Sequence, residues 1–134
     1  MPAKDQYHTA VRQALLKAGW SISHDPYAIV LPERFLYIDL RATHFEQQRV
    51  ITVEIKSFEL PSPIEALAQA IGKYSLYRAA LDLIQNTDAL YLAIPSRAFY
   101  GIMQETLSQR LLQKHAVHLL VFDPDQQEVA LWHP

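Results

Sequence analysis

The chain contains no cysteine. That excludes a disulfide framework, a thiolate zinc site and a thiol nucleophile, and leaves carboxylates, imidazoles, hydroxyls, tyrosines and lysines to carry any chemistry. Its three glycines are scattered at Gly19, Gly72 and Gly101, so the glycine-rich loop that cradles phosphates in nucleotide-binding folds is absent. There is no excess of positive charge either: 12 Lys and Arg stand against 14 Asp and Glu, a formal net charge of -2. A general field that gathers nucleic acid is therefore missing, and any such contact must be local or shared with a partner. No apolar run approaches the length of a membrane span, and Met1 to Gln6 stays polar where a signal peptide would turn apolar. The expectation is an unexported protein of a reducing cytoplasm with no membrane part.

What is present is the composition of one globular domain. Half of the 134 residues are apolar and 19% are charged, enough burial to offset the entropy of ordering the chain and too little length for two full-sized cores. Residues 1–134 are read as a single domain. Ala3, Tyr7, Ala10, Val11, Ala14, Leu15 and Ala18 recur at helical spacing and stop at Gly19. Four short segments rich in Ile, Val, Tyr, Phe and Leu follow, at 20–23, 27–31, 35–40 and 50–58, and read as an antiparallel meander. Pro61-Ser62-Pro63 then opens a long helix over 63–84, with Ile64, Leu67, Ile71 and Tyr74 on its buried stripe. Segments 89–94 and 117–122 are almost wholly apolar, as strands buried on both faces are. A helix marked by Phe99, Met103, Leu107 and Leu111 lies between them, and a last strand, 128–132, pairs back through a turn at Pro124-Asp125. The expected fold is α/β, a mixed sheet with an antiparallel meander flanked by helices, in the order αβββαβαβ.

Chemistry concentrates in one stretch. Val50 to Ser57 alternates, so Thr52, Glu54 and Lys56 share one face of a strand and Ile51, Val53 and Ile55 the other. Asp39 ends the preceding strand-like segment, and a loop of about eight residues would fold it back beside Glu54. Two carboxylates can hold one Mg²⁺ or Mn²⁺ that keeps several waters, and a lysine can orient or help deprotonate one of them. A phosphodiester is the substrate that this set suits, because metal and lysine offset the charge that develops on the phosphorus oxygens. A salt-bridged strand face has the same residues, so order along the chain must decide.

A helix, a meander carrying Asp and then Glu-x-Lys, a helix and a strand together resemble the restriction-endonuclease-like PD-(D/E)xK core. More narrowly, Pro2-Ala3-Lys4-Asp5, Gly19-Trp20, His24-Asp25-Pro26, Asp39, Val53-Glu54-Ile55-Lys56-Ser57-Phe58, Tyr91-Leu92-Ala93-Ile94-Pro95 and Phe122-Asp123-Pro124 resemble the XisH family, the cyanobacterial excision-controlling factors of the fdxN element. The resemblance implies an endonuclease-like fold, DNA as a partner, and a role beside a site-specific recombinase in removing a DNA element, with a small XisI-type protein as a further partner. It makes Asp39 and Glu54 the metal carboxylates and Lys56 the catalytic lysine. The alternative is a scaffold that has lost the reaction and works through protein contacts, since fold does not fix function. Oligomeric state is left open, a homo-oligomer included.

Two departures from the wider pattern stand out. Ile38 replaces the proline usual before the Asp, and Lys73 stands where related nucleases carry Gln in a Gln-x-x-x-Tyr helix motif. Gln69, Lys73 and Tyr77 fall on one stripe opposite Ile64, Leu67 and Ile71, as auxiliary site residues or as a solvated face. A lysine at 73 could bind a phosphate, or pair with a site carboxylate and hinder the metal. Lys4, His8 and Arg12 recur every four residues on the first helix, so Lys4 and Arg12 are weak candidates for DNA backbone contact, set against an ordinary solvated face. The six histidines lack paired ligand spacing and are expected to hold no metal. Trp20 and Trp132 read as core or interface residues.

Overall fold

A computed structural model describes residues 3–59 and 61–134, with side chains from residue 6 onward. Helix α1 (Ala3–Lys17) buries Ala10, Val11, Ala14 and Leu15. It ends where Gly19 takes a φ of 93° and the Trp20 N–H returns to the Leu15 carbonyl at 2.9 Å. A Cβ at position 19 would also meet His44 Nε2 at 2.9 Å, so conformation and space both select glycine.

Five strands follow: β1 (Ser21–His24), β2 (Tyr27–Val30), β3 (Phe35–Ile38), β4 (Leu40–His44) and β5 (Arg49–Ile55). They do not form the expected meander. Strand β1 skips two strands and pairs with β4, β4 pairs antiparallel with β5, and β2 and β3 form a separate two-stranded hairpin. The hairpin leaves the main sheet because Ile29 and Ile38 bury completely in the core that also takes the long helix. Residues 41–44 fall in the expected loop, yet with Leu40 they form a strand that buries Leu40, Ala42 and His44 in alternation.

Helix α2 (Pro63–Leu83) starts with Pro63 in its first turn and Ser62 Oγ accepting the Glu65 N–H at 3.3 Å. Its buried face carries Ala66, Leu67, Ala70, Ile71, Tyr74, Tyr77, Ala80 and Leu81. Ile64 lies outside this stripe, 47% exposed, and Tyr77 lies inside it, both contrary to the expected pattern. Strand β6 (Ala89–Pro95) runs parallel to β5 and to β7 (His118–Asp123), and β8 (Glu128–His133) closes the sheet antiparallel to β7. The turn between β7 and β8 is held by Asp123 Oδ1, which accepts the N–H groups of Asp125 and Gln126. The expected single helix between β6 and β7 is broken into α3 (Ser96–Phe99), a 3-10 turn (Ile102–Gln104) and α4 (Thr106–Lys114). Gly101 permits the break, since a Cβ there would lie 2.9 Å from the Arg97 carbonyl oxygen. Met103 and Leu112 point inward while Leu107 is 54% exposed.

The six-stranded sheet has the order β1-β4-β5-β6-β7-β8. One face packs under α1 with Leu40, Ala42, Ile51, Val53, Tyr91, Ala93, Leu120 and Phe122, and the other under α2 with Leu90, Leu92, Ile94, Leu119 and Val121. This is a mixed α/β sandwich with helices on both faces. Among the described residues no helix is long and apolar enough to cross a membrane. Trp20 is buried and packs against Trp132 with ring centroids 5.7 Å apart.

Candidate functional site

The alternation of β5 holds as the sequence predicts: Ile51 and Val53 enter the α1-side core, and Glu54 and Lys56 turn toward α2. Leu40 pairs with Val53, so the residue before β4 sits beside the residue after Val53. That register brings Asp39 to Glu54, although the strand responsible is β4 and not the 35–40 segment read from the sequence. Asp39 occupies the kink between β3 and β4. Its Oδ2 accepts the Ile55 N–H at 2.8 Å, and its own N–H donates to Glu54 Oε1 at 3.3 Å. The Asp39 carboxylate is thus tied to the backbone of Ile55, and the Glu54 carboxylate to the backbone of Asp39, at the end of β5.

A cleft of about 230 Å³ opens there, lined by Asp39, Glu54, Lys56, Lys73 and, from α1, Tyr7 and His8. It lies outside the carboxyl end of a strand in a parallel part of the sheet, the usual position for ligands in open α/β sheets. Glu54 is 4% exposed. Its pKa is pushed up to about 7, by burial first, then by the charge of Asp39 and hydrogen bonding with it, while Lys73 pulls it down. Lys73 Nζ reaches Glu54 Oε2 at 3.4 Å from a largely exposed position on α2. Lys56 Nζ donates to Gln69 Oε1 at 2.9 Å, and its pKa is lowered by burial and by Lys73, against the pull of Glu54. The Tyr77 hydroxyl is pushed up to about 12 by burial, Glu54 and Asp39, which sets it within the field of both carboxylates.

Asp39, Glu54, Lys56, Gln69, Lys73 and Tyr77 therefore come together, with Gln69 acting on Lys56 and Lys73 on Glu54. The two helix-one candidates do not join them. Arg12 donates to Asp25 Oδ2 at 2.5 Å and is committed to that carboxylate, and the Lys4 side chain lies outside the described residues. The sequence reading missed Tyr7 and His8 as cleft residues. The four-residue spacing of His8 and Arg12 was visible, but their shared partner Asp25 sits across the fold and leaves no local signal.

Two carboxylates are fewer than a metal cage of protein ligands needs, and no cluster of three or more His, Cys, Asp or Glu occurs among the described residues. A divalent cation such as Mg²⁺ needs no such cage, since it keeps waters and takes its remaining ligands from substrate phosphate. The donor set fits that mode. A carboxylate raised toward neutrality by burial and then by a second carboxylate is the arrangement that a divalent charge relieves.

Comparison with known proteins agrees in fold and in extent. The chain matches the family model described as XisH protein over residues 1–130. It is similar to a crystal structure of an XisH family protein from Nostoc punctiforme PCC 73102, at 31% identity and a TM-score of 0.89, with 97% of this chain and 100% of that one covered. It is equally similar to the structure of an fdxN element excision controlling factor protein from Anabaena variabilis, at 31% identity and a TM-score of 0.90, covering 97% and 99%. No curated protein matches the chain. A family model matched over nearly the whole length, joined to a full-length structural relative described as an XisH family protein, places the chain in the XisH family.

Proposed function

We propose that this protein acts in the excision of a DNA element, as a restriction-endonuclease-like domain of PD-(D/E)xK type that cleaves a phosphodiester with a divalent cation. The observation that carries the reading is the pair Asp39 and Glu54, two carboxyls set side by side at the end of β5 by the Ile55 N–H on Asp39 and the Asp39 N–H on Glu54, with the buried one raised to about 7. Asp39 and Glu54 would hold Mg²⁺ or Mn²⁺, which supplies charge stabilisation on the phosphoryl oxygens and a more acidic water. Lys56, held by Gln69 and with its pKa lowered, orients the attacking water and takes up its proton more readily than an ordinary lysine. Lys73 favours the ionised form of Glu54 against burial and Asp39 when no cation is bound, and is free to turn to a phosphate oxygen when one arrives. The excision role follows the description of the Anabaena variabilis relative. With a net charge of -2, the protein depends on partners for DNA affinity, and a small XisI-type protein and a site-specific recombinase fill that place.

A second reading has its own observation. Lys73 Nζ already stands 3.4 Å from Glu54 Oε2, an ammonium where a metal would sit, as in a scaffold that has given up the reaction and works through protein contacts. Calorimetric titration of Mg²⁺ and Mn²⁺ into wild type and Glu54→Ala, with plasmid nicking on the same samples, separates the two. Binding and nicking present in wild type and lost together in the variant support the nuclease. Neither in wild type, with or without a small partner protein, overturns it in favour of the scaffold.

A further inference from the structure

The wall of the cleft opposite α2 belongs to α1, and two of its side chains, Tyr7 and His8, line the cleft that Asp39, Glu54 and Lys56 share. They are held differently. The Tyr7 hydroxyl accepts from Arg97 Nη2 at 3.0 Å, and that guanidinium is itself fixed on the Ser57 and Phe58 carbonyls. Tyr7 is therefore part of a structural clamp between α1 and the end of β5. His8 places Nε2 2.8 Å from Asp25 Oδ1, and the other Asp25 oxygen takes Arg12 Nη1. The imidazole is half-buried and oriented from one side only, and its Nδ1 has no hydrogen-bond partner among the described residues. A histidine fixed through one ring nitrogen by a carboxylate, with the other nitrogen free at a reactive cleft, has the construction of a proton-transfer group.

We infer that His8 is a catalytic residue that donates a proton to the leaving oxygen, with Asp25 and Arg12 as positioning residues. This rests on the phosphodiester reading. In-line displacement puts the leaving oxygen on the side of phosphorus away from the attacking water. Lys56 serves the water, Asp39 and Glu54 the cation, and Lys73 is paired with Glu54, so the α1 wall is left for the leaving group, and His8 is its unclamped titratable side chain. In the step, the water oxygen bonds to phosphorus and loses one proton to solvent or to Lys56. The ester P–O bond breaks with its electron pair on the departing sugar oxygen, and the His8 Nδ1 proton moves to that oxygen. The donor in this step is the imidazolium: its Nε2–H stays on Asp25 while its Nδ1–H is transferred, which leaves a neutral imidazole still held by Asp25.

An activated leaving group tests this, because p-nitrophenolate departs without a proton. Rates are measured for wild type, His8→Ala, His8→Gln and Asp25→Asn with Mn²⁺, on a DNA duplex and on thymidine 5′-p-nitrophenyl phosphate, with melting curves as folding controls. His8→Ala should lose on the order of 10²-fold or more on DNA and stay within about threefold of wild type on the nitrophenyl ester. His8→Gln, which keeps a donor for Asp25, should fail in the same selective way, and Asp25→Asn should show the same pattern with a smaller loss. Equal losses on both substrates, or no loss on either, overturn the role of His8 while wild-type cleavage leaves the phosphodiester reading standing. No cleavage by wild type together with no metal heat overturns both.

Discussion

Two carboxylate–cation pairs lie on the α2 face of the same sheet and are built to opposite ends. Asp88, just before β6, receives Arg41 Nε at 2.8 Å across the intervening strand β5, and the pair is 13% and 26% exposed at its side chains. The Asp88 N–H is also satisfied, by Asn86 Oδ1 at 2.7 Å, and the Arg41 guanidinium lies 5.5 Å from the Tyr27 ring centroid. Along β5 from that pair, Glu54 is more deeply buried, meets a largely exposed lysine at a longer 3.4 Å, and faces a second carboxylate. The first arrangement neutralises its charge and locks β4 to β6. The second leaves Glu54 incompletely compensated at a cleft, its pKa raised by burial and by Asp39 in spite of Lys73. Structural pairs and sites are thus told apart by what remains uncompensated.

The contrast predicts opposite responses to substitution. Arg41→Ala strands Asp88 in a largely buried setting and should cost about 3 kcal/mol in chemical denaturation, the largest effect expected here. A loss below about 1 kcal/mol would mean that the pair behaves as a surface bridge and that the comparison fails.

Divalent cation should separate the two pairs next. At a free Mn²⁺ concentration a hundredfold above Kd, stabilisation of about 2.7 kcal/mol follows from mass action. It should appear in melting curves at pH 8, shrink at pH 5.5 because Glu54 is then protonated, and vanish in Glu54→Gln but not in Asp88→Asn.

Glu54 also sets the pH dependence of stability without metal. Its folded pKa of about 7 lies above the ordinary carboxyl value of 4.5, so between those limits the folded state holds more protons than the unfolded one. Stability that is fully present below pH 4.5 is therefore lost as the pH rises toward 7. Glu54→Gln should remove that loss and be more stable than wild type at pH 8 by roughly 2 kcal/mol, with the gap closing at pH 5. Asp88→Asn should destabilise instead.

Lys73→Gln should give the smallest change. Removing the ammonium beside Glu54 raises its pKa further and frees Glu54 Oε2. Metal affinity measured by calorimetry at pH 8 should rise several-fold, about 1 kcal/mol. A fall in affinity would show that Lys73 supports the metal site instead of competing with it.

The degree to which the sequence discloses the molecule differs along the chain. Period-two alternation in 50–57 names the face of Glu54 and Lys56 correctly, because a strand's side chains have no other choice once one face is buried. The two continuous apolar runs identify β6 and β7 as central strands for the same reason. Residues 41–44 were illegible as a strand, since Arg41 meets Asp88 and His44 is buried only once the strand lies between β1 and β5. Ile64 and Leu107 matched helical stripes yet face outward, because periodicity locates a stripe without saying which end the rest of the fold covers.

By itself, the sequence determined the α/β class, the helix limits at Gly19 and Pro63, the common face of Glu54 and Lys56, and the excluded chemistries, all consequences of local sterics and composition. Tertiary structure alone decided that the 27–38 hairpin leaves the sheet, that β4 carries Asp39 to Glu54, that Lys73 pairs with that buried carboxylate, and that His8 and Asp25 meet at the cleft's other wall. These are contacts between residues 13 or more positions apart. They form only because burying two separate cores on one sheet fixes where each distant segment must lie.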